Sequence, residues 1–200
     1  MNSLFIRSIS LVAVTGLLFG CSGTSSPTVG SGNVSYGDAK AVEQVTNEFG
    51  STDLQMIAES MARSLAQSVA GAPVKPLVTI SDVKNKTGEY IDTRSITDSI
   101  RVQILKSGTM RFATDIDGMK NQTDELARQS QSGLYKKSKT AKVGEMQGAQ
   151  YRIEGNITSI VKRSSDTKDV YYKFSLILTD IENGTIEWAD EKEIRKTSSH

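Results

Sequence analysis

The amino-acid sequence predicts an α/β sandwich of two or three layers, built on one mixed sheet of about four to five strands with flanking helices. In the first half of the chain, segments with helical spacing of apolar residues alternate with short apolar runs typical of strands. In the last third the spacing changes to an alternation with period two, and an Asn183-Gly184 pair separates two such stretches. This last third therefore predicts an antiparallel meander of three strands.

Two candidate helices precede the first strand. Residues 38–50 carry apolar side chains near helical spacing and predict a short or conditional helix. Residues 51–71 show a stronger amphipathic pattern, with apolar residues three and four positions apart. A Thr52–Gln55 capping box and Gly71 predict where this second helix begins and ends.

A strand, a helix and another short strand are predicted next. The β-branched run at 76–85 favours a buried strand. The following helix should begin near Asp92 or Thr93 and end at Gly108. Its apolar face is expected to carry Ile96, Ile100, Ile104 and Leu105. The sequence "MRFATD" at 110–115 favours the second strand.

The polar segment 115–148 predicts two helices joined by a lysine-rich loop. A basic cluster in it consists of Tyr135, Lys136, Lys137, Lys139 and Lys142. Such a cluster could contact an acidic partner or an anionic polymer, although a solvated loop is the commoner role. We therefore keep Tyr135 and these lysines as candidate partner contacts.

Alternation predicts which side chains of the last three strands are buried. The first strand should place Tyr151, Ile153, Gly155, Ile157 and Ser159 on one face, and the second should bury Val170, Tyr172, Phe174, Leu176 and Leu178. Tyr171 then points outward, which makes it a candidate surface contact. Ile186 and Trp188 should share one face of the final strand, with Trp188 inside.

Composition excludes several classes of protein. The 200 residues are 37% hydrophobic and 24% charged, which fits one globular domain with appendages. Lys and Arg number 24 against 23 Asp and Glu, so there is no positive excess for nonspecific binding of nucleic acid. Cys21 is the only cysteine and His200 the only histidine. An internal disulfide, a Cys/His zinc site and histidine-based catalysis are therefore not expected, and neither is a cofactor.

The amino terminus has the three-part pattern of a secretory signal. An apolar run follows Arg7 and leads to Leu18-Phe19-Gly20-Cys21, which resembles a bacterial lipobox. We interpret 1–20 as a signal peptide, Cys21 as the lipidated first residue, and 21–37 as a flexible Ser/Gly-rich tether. Acyl chains contribute about 0.8 kcal/mol per buried CH₂, so this anchor would be stable. By resemblance to enterobacterial sorting rules, in which Asp at the position after the cysteine favours retention in the inner membrane, Ser22 implies the outer membrane.

Motifs of catalysis are missing from the sequence. It contains no phosphate-binding loop, dinucleotide fingerprint or serine-hydrolase elbow. Asp115 and Asp117 could offer oxygens to Ca²⁺, but without the rest of an EF-hand loop a turn and helix cap is favoured. Paired carboxylates could support glycoside hydrolysis if folding brought together Asp82, Asp92, Asp98 and Glu145. Nothing in their spacing requires this, so we expect a protein that is not an enzyme.

Four segments carry a resemblance to penicillin-binding protein activators of the LpoB type. They are "DVKNKT" at 82–87, "MRFATD" at 110–115, "GAQYRIEG" at 148–155 and "NGTIEW" at 183–188. The resemblance extends over roughly residues 36–196, with a globular domain at 38–197. These segments are also similar to those of a wider group that includes CsgG-like and TolB amino-terminal domains.

The resemblance implies an outer-membrane lipoprotein that faces the periplasm and has no catalytic activity of its own. It would bind a class A penicillin-binding protein and activate it allosterically, so regulating peptidoglycan synthesis and cell shape. We expect a monomer that contacts the membrane through its lipid anchor and does not bind nucleic acid. The alternatives are a CsgG-like structural or assembly lipoprotein of the envelope and a carboxylate-based enzyme acting on peptidoglycan.

Overall fold

Three α-helices and six strands make up the part of the chain that the computed structural model describes, residues 37–43 and 45–199. The helices are α1 (Ser51–Ser68), α2 (Thr93–Ser107) and α3 (Ile116–Gln131). The strands are β1 (Leu77–Ile80), β2 (Lys84–Lys86), β3 (Arg111–Phe112), β4 (Tyr151–Arg163), β5 (Thr167–Asp180) and β6 (Ile186–Ser199). All of them belong to the compact unit that begins at Val42. The predicted signal peptide and Cys21 lie outside the described residues.

The strands form one mixed sheet in the order β3-β1-β4-β5-β6, with β2 also paired to β4. β1 pairs in parallel with β3 and β4, whereas β4, β5 and β6 form an antiparallel meander. The predicted mixed sheet and meander are therefore confirmed. The sheet has six strands because the segment 76–85, predicted as one strand, is interrupted after Ile80. Its two halves lie along β4 one after the other, beside 151–153 and 156–158.

The core lies between one face of the sheet and the helices α1 and α2. Its helical side chains are Ile57, Met61 and Leu65 from α1 and Ile96, Ile100 and Ile104 from α2. The strands contribute Val78, Ile153, Ile157, Val170, Tyr172, Phe174, Leu176 and Leu178. Leu105 was wrongly predicted to be buried and is 49% exposed, because one residue beyond Ile104 the helix has turned by about 100°.

The ends of α2 are confirmed and the start of α1 is corrected. Asp92 Oδ1 accepts from the main-chain N–H of the second and third helical residues, at 3.1 and 3.2 Å, and Gly108 ends α2 with φ 69°. At α1 the N-cap is Gly50, whose N–H donates to Asp53 Oδ2 at 2.8 Å. The predicted Thr52–Gln55 capping box is therefore wrong, because the buried Asp53 carboxylate in the first turn accepts a hydrogen bond from the N–H of Gly50.

The helix predicted at 38–50 does not form in the described residues. Residues 47–49, here called the strap, are held instead by contacts with distant strands. Asn47 Nδ2 donates to the main-chain oxygens of Lys168 (2.9 Å) and Lys196 (3.3 Å). The Lys196 ammonium donates to Glu48 O at 2.7 Å. These long-range bonds replace the local ones that a helix would have required.

The second helix predicted within 115–148 is also wrong. After α3 the described residues contain only a single 3₁₀ turn, Lys137–Lys139, before β4 begins. Gly133 and Gly144 have φ angles of 71° and 88°, in the left-handed region that interrupts helices. Side chains from Gln131 to Lys139 are all exposed, so this segment has no apolar face to bury.

A bulge corrects the prediction for β6. The turn at Asn183-Gly184 is confirmed, with Gly184 at φ 74°. Leu178 pairs with Trp188 and Thr179 pairs with Ile186, so Glu187 is an extra residue on the β6 side. Trp188 therefore lies on the core face and Ile186 on the opposite face, where it is 61% exposed. The alternation had predicted that the two residues share a face, and that prediction is wrong.

Candidate partner-binding surface

The face of β4–β6 that points away from α1 and α2 is solvent-facing and polar, and we call it the outer face. The residues on it from β4 are Arg152, Glu154, Asn156, Thr158, Ile160 and Lys162; from β5, Asp169, Tyr171, Lys173, Ser175 and Ile177; from β6, Ala189, Glu191, Glu193, Arg195 and Thr197. All of them are exposed or half-buried. An antiparallel sheet with one covered face produces this distribution from a single alternating sequence.

Tyr171 occupies the centre of a cross-strand cluster on the outer face, as its outward direction predicted. Its hydroxyl donates to the Glu193 carboxylate, and the Arg195 guanidinium carbon lies 5.6 Å from its ring centre. Arg195 Nε in turn lies 3.8 Å from Asp169 Oδ2. The hydrogen bond to Glu193 raises the pKa of Tyr171 above its ordinary value. The ring is thus fixed by charged neighbours on both sides, which suits a rigid contact.

The remaining charges of the outer face include opposite-sign pairs. Lys173 Nζ lies 3.5 Å from Glu191 Oε2, and Arg152 Nε lies 3.4 Å from Glu154 Oε2. Each partner is well exposed, so these pairs are worth little to stability. They nonetheless present fixed charges of both signs, which can determine the orientation of a docked protein.

The second candidate group, Tyr135 with its lysines, lies in the segment after α3. Arg128 donates to the Tyr135 hydroxyl, and its guanidinium carbon lies 5.2 Å from the ring centre. Glu125, 2.6 Å from Arg128, has its pKa lowered to about 2 by that hydrogen bond, and the pKa of Arg128 is raised. The side chains of Lys136, Lys137, Lys139 and Lys142 are exposed. No hydrogen bond, ion pair or ring contact between described residues joins this group to Tyr171.

Two of the four carboxylates considered for catalysis have other structural roles, and the other two, Asp82 and Glu145, are exposed. Asp92 caps α2, and Asp98 pairs with Arg101 at 2.6 Å. Asp115 caps α3 by accepting from Gly118 N at 2.8 Å, and its other oxygen lies 3.0 Å from Arg94. Within the described residues, no three His, Cys, Asp or Glu side chains are grouped so that they could hold a metal ion.

A cleft of about 580 Å³ lies where β1, α2 and the start of α3 meet. Arg94 and Arg101 line it, with hydroxyls from Thr79, Ser81 and Thr114. Both arginines are ion-paired with aspartates, so a small anion would have to displace an existing partner. This cleft was not predicted: the seven-residue spacing of the two arginines places them on one face of α2, but it does not indicate which elements lie beside that face.

The end of β4 was also missed. Residues 159–163 continue beyond β2, and among the described strands they pair only with β5. We call this stretch the open edge.

No helix among the described residues is long and apolar enough to span a membrane.

Comparisons with known proteins identify a family. The family model for the peptidoglycan-synthase activator LpoB matches residues 53–194. Among solved structures, the chain is similar to the LpoB C-terminal domain from Salmonella enterica, at 16% identity and TM-score 0.39, covering 70% of this chain and 94% of that one. The chain is also similar to the LpoB C-terminal domain from Escherichia coli, at 15% identity and TM-score 0.39, covering 69% of this chain and 97% of that one.

A third solved structure, the lipoprotein GNA1162 from Neisseria meningitidis, is similar at 12% identity and TM-score 0.39, covering 62% of this chain and 84% of that one. No curated protein matches the chain. The match to the family model runs from the first turn of α1 into β6 and thus includes both the core and the outer face.

Proposed function

The chain belongs to the peptidoglycan-synthase activator LpoB family, and on this premise we propose that it binds a class A penicillin-binding protein and stimulates it allosterically. Membership assigns the general role, activation of peptidoglycan synthesis in the cell envelope. The observation that carries the proposal is the match over residues 53–194, which spans almost the whole folded domain. Because the family is one of activators, we propose that the chain acts on a synthase and is not itself the catalyst.

The domain offers surfaces suited to binding a protein. Tyr171 is held between Glu193 and Arg195 on the outer face, and Tyr135 is held by Arg128 beside exposed lysines. Tyrosine and arginine are enriched at interface hot spots, and tyrosine buries much surface with little loss of side-chain entropy. We propose Tyr171 and the group Tyr135, Lys136, Lys137 and Lys139 as contacts to the synthase.

The location is part of the proposal. Cleavage after 1–20 would leave Cys21 as a lipidated first residue in the periplasmic leaflet of the outer membrane. The segment 21–37 would then act as a tether to a monomeric domain at 38–197. No cofactor and no nucleic acid enter this scheme.

Stimulation without a catalytic group of its own requires that the activator prefer one conformation of the synthase. A protein that binds the active conformation more tightly shifts the population toward it, by no more than its difference in affinity for the two states. The proposed effect is therefore on the turnover rate at saturating substrate. It does not require the activator to touch the lipid-linked substrate.

The test is glycan polymerisation by the detergent-solubilised cognate class A synthase, with and without the full chain. We expect a higher rate at saturating substrate and direct binding in the same detergent. Cys21→Ser should keep both effects in solution while moving the protein from the membrane to the soluble fraction of cells. Absence of binding and of stimulation with every class A synthase of the same cell would refute the proposal.

A further inference from the structure

The open edge, residues 159–163 of β4, lies where β2 turns away from the sheet. β2 pairs with β4 only as far as Lys86, opposite Thr158. Asn85 then closes a turn, accepting from Thr87 N at 2.9 Å and donating to Glu89 O at 2.9 Å. The chain leaves the sheet at this turn, whereas β4 continues to Arg163 along β5.

The register shows which main-chain groups face the open edge. Ile153 O accepts from Ser81 N at 2.8 Å on the β1 side, and Ser164 N donates to Thr167 O at 2.9 Å on the β5 side. The β4–β5 register has no shift between these points, and successive residues of a strand direct their N–H and C=O to opposite sides. Ser159, Val161 and Arg163 therefore direct their N–H and C=O groups to the open edge.

Exposed apolar side chains accompany these groups. Ile160 is 57% exposed on the outer face, and Val161 is 49% exposed on the core side. Val161 lines a cleft of about 840 Å³ together with Tyr90, which is 91% exposed. Glu89 also lines this cleft, but its carboxylate already accepts from Tyr172 and from the strap. A strand added at the edge would place alternate side chains against Ile160 and into this cleft.

Cations outnumber anions around the open edge, although Asp169 lies opposite Lys162 in the register and Glu48 and Glu89 line the adjacent cleft. The cations near it are Lys84, Lys86, Lys162, Arg163 and Lys168. None of these side chains makes an ion pair with a described residue. Arg163 and Lys168 are directly opposite in the register, an arrangement that destabilises an antiparallel pair. A local conflict of this kind at an exposed edge is typical of a surface that binds a partner.

We propose that the open edge binds an extended acidic segment of the synthase, which adds a strand to the sheet beside β4. This inference rests on the proposed function, since it names where and by what chemistry that partner docks. Main-chain hydrogen bonds from Ser159, Val161 and Arg163 supply affinity, and the cations select carboxylate side chains. The partner strand lies in line with β2 and takes the position that β2 leaves free.

A second copy of the chain fits the open edge less well. Pairing two open edges would bring Lys162 and Arg163 of each copy close to the same cations of the other. The long free edge at β6 serves as a contrast, since its "DEKEIRK" at 190–196 carries both signs of charge. Mixed charge protects an edge without selecting the sign of a partner. Within the described sheet, the open edge combines unpaired main-chain groups, exposed apolar residues and an excess of cations.

The decisive variant is Val161→Pro, compared with Val161→Ala in the full chain. Proline removes one N–H from the open edge and no bond of the β4–β5 ladder, a position where strands tolerate it. Alanine removes the branched side chain and keeps the N–H, whereas proline keeps three side-chain carbons and removes the N–H, so a larger loss in Val161→Pro reports the main-chain group. We expect Val161→Pro to weaken binding to the detergent-solubilised synthase at least about tenfold more than Val161→Ala. Equal affinities, with circular dichroism and thermal unfolding unchanged, would overturn the inference.

Charge reversal gives an independent measurement that does not alter the backbone. We expect the triple variant Lys162→Glu, Arg163→Glu, Lys168→Glu to lose at least about tenfold in affinity, with a weaker dependence on salt than the wild type. The matched control Arg63→Glu, Lys75→Glu, Lys120→Glu changes net charge equally at exposed positions elsewhere. Its affinity should stay within about twofold of the wild type. An equal loss in both triple variants would overturn the inference.

Hydrogen exchange distinguishes the remaining outcomes. The amides of Ser159, Val161 and Arg163 should gain protection from exchange when the synthase binds. If an active complex forms and the exchange of these amides does not change, the inference about the open edge is overturned and the proposed function is not. A wild-type chain that neither binds nor stimulates the synthase refutes the proposed function instead. Concentration-dependent dimers that disappear in Val161→Pro would show that a second copy occupies the edge, and would also overturn the inference.

Discussion

The two faces of the β4–β6 meander come from the same three strands and differ in almost every chemical property. In β5 the core face takes Val170, Tyr172, Phe174, Leu176 and Leu178, all at most 2% exposed. The residues between them are polar, except Ile177, and half-buried. A shift of one position along the strand therefore separates a residue that holds the fold together from one that is available to a partner. Substitutions should affect stability on one face and binding on the other.

The largest loss of stability is expected from Phe174→Ala on the core face. Phe174 is fully buried between the sheet and the helices, and its removal should lower the free energy of unfolding by about 3–5 kcal/mol. Urea unfolding measures this change. Ser175→Ala, one residue away on the outer face, is the control and should change stability by roughly 0.5 kcal/mol or less. Similar losses in the two variants would contradict the assignment of the faces.

Lys196→Met is expected to be nearly as costly, although it changes a charged residue. Lys196 donates to the Asp53 carboxylate, and the two side chains are 11% and 3% exposed. Removing the cation leaves the buried Asp53 carboxylate without its positively charged partner. This should lower the free energy of unfolding by about 3 kcal/mol. The double variant Asp53→Asn with Lys196→Met should recover part of this loss in a double-mutant cycle. A double variant less stable than Lys196→Met alone would contradict the explanation.

An intermediate effect is expected from Tyr172, and it depends on pH. Burial, and then its hydrogen bond to Glu89, raise the pKa of Tyr172 above the ordinary value of about 10. The unfolded chain therefore releases this proton at a lower pH than the folded one. The resulting stabilisation is complete below pH about 10 and is lost as the pH rises toward the folded pKa.

Urea midpoints measured from pH 8 to 11 test this expectation. Tyr172→Phe should cost about 1 kcal/mol at pH 8, through the lost hydrogen bond. Its stability should then fall less steeply above pH 10 than that of the wild type, because the titrating phenol is gone. Parallel curves for the two proteins would show that Tyr172 does not titrate differently on folding.

The smallest loss of stability is expected from Arg195→Ala on the outer face. Arg195 packs over Tyr171 and lies 3.8 Å from Asp169 Oδ2, but its side chain is 68% exposed. Exposed pairs of this kind contribute roughly 0.5 kcal/mol or less. Activation of the synthase should fall measurably all the same, because Tyr171 loses a neighbour that fixes it. A loss above about 2 kcal/mol would place Arg195 among the residues that hold the fold together.

Local sequence patterns predicted the elements whose stabilising contacts lie within a few residues. Asp92 and Gly108 delimit α2 by bonds to their own helix, and the alternation in β5 follows from burial on one face. The errors occurred where distant residues decide the structure. The strap at 47–49 is fixed by strands more than a hundred residues away, and the bulge at Glu187 depends on how β6 pairs with β5.

The candidate surfaces divide in the same way. Tyr171 was correctly placed outside from the sequence, because alternation within one strand is a local property. The Arg94–Arg101 cleft and the open edge could not be predicted. The cleft requires α2 to lie beside the ends of β1 and β3, and the open edge exists only because β2 turns away at Asn85. Neither arrangement has a signature in the order of the residues alone.

The strap also determines how the domain would respond to pulling. Asn47 bonds to main-chain oxygens on β5 and β6, and Lys196 fastens Glu48 from the same side. Tension applied to the chain before Asn47 would load these bonds together, across two strands that are paired along their whole length. The force would pass through these bonds to β5 and β6 before it reached the first turn of α1. A domain joined to a surface through its amino terminus would thus keep its helices packed under load.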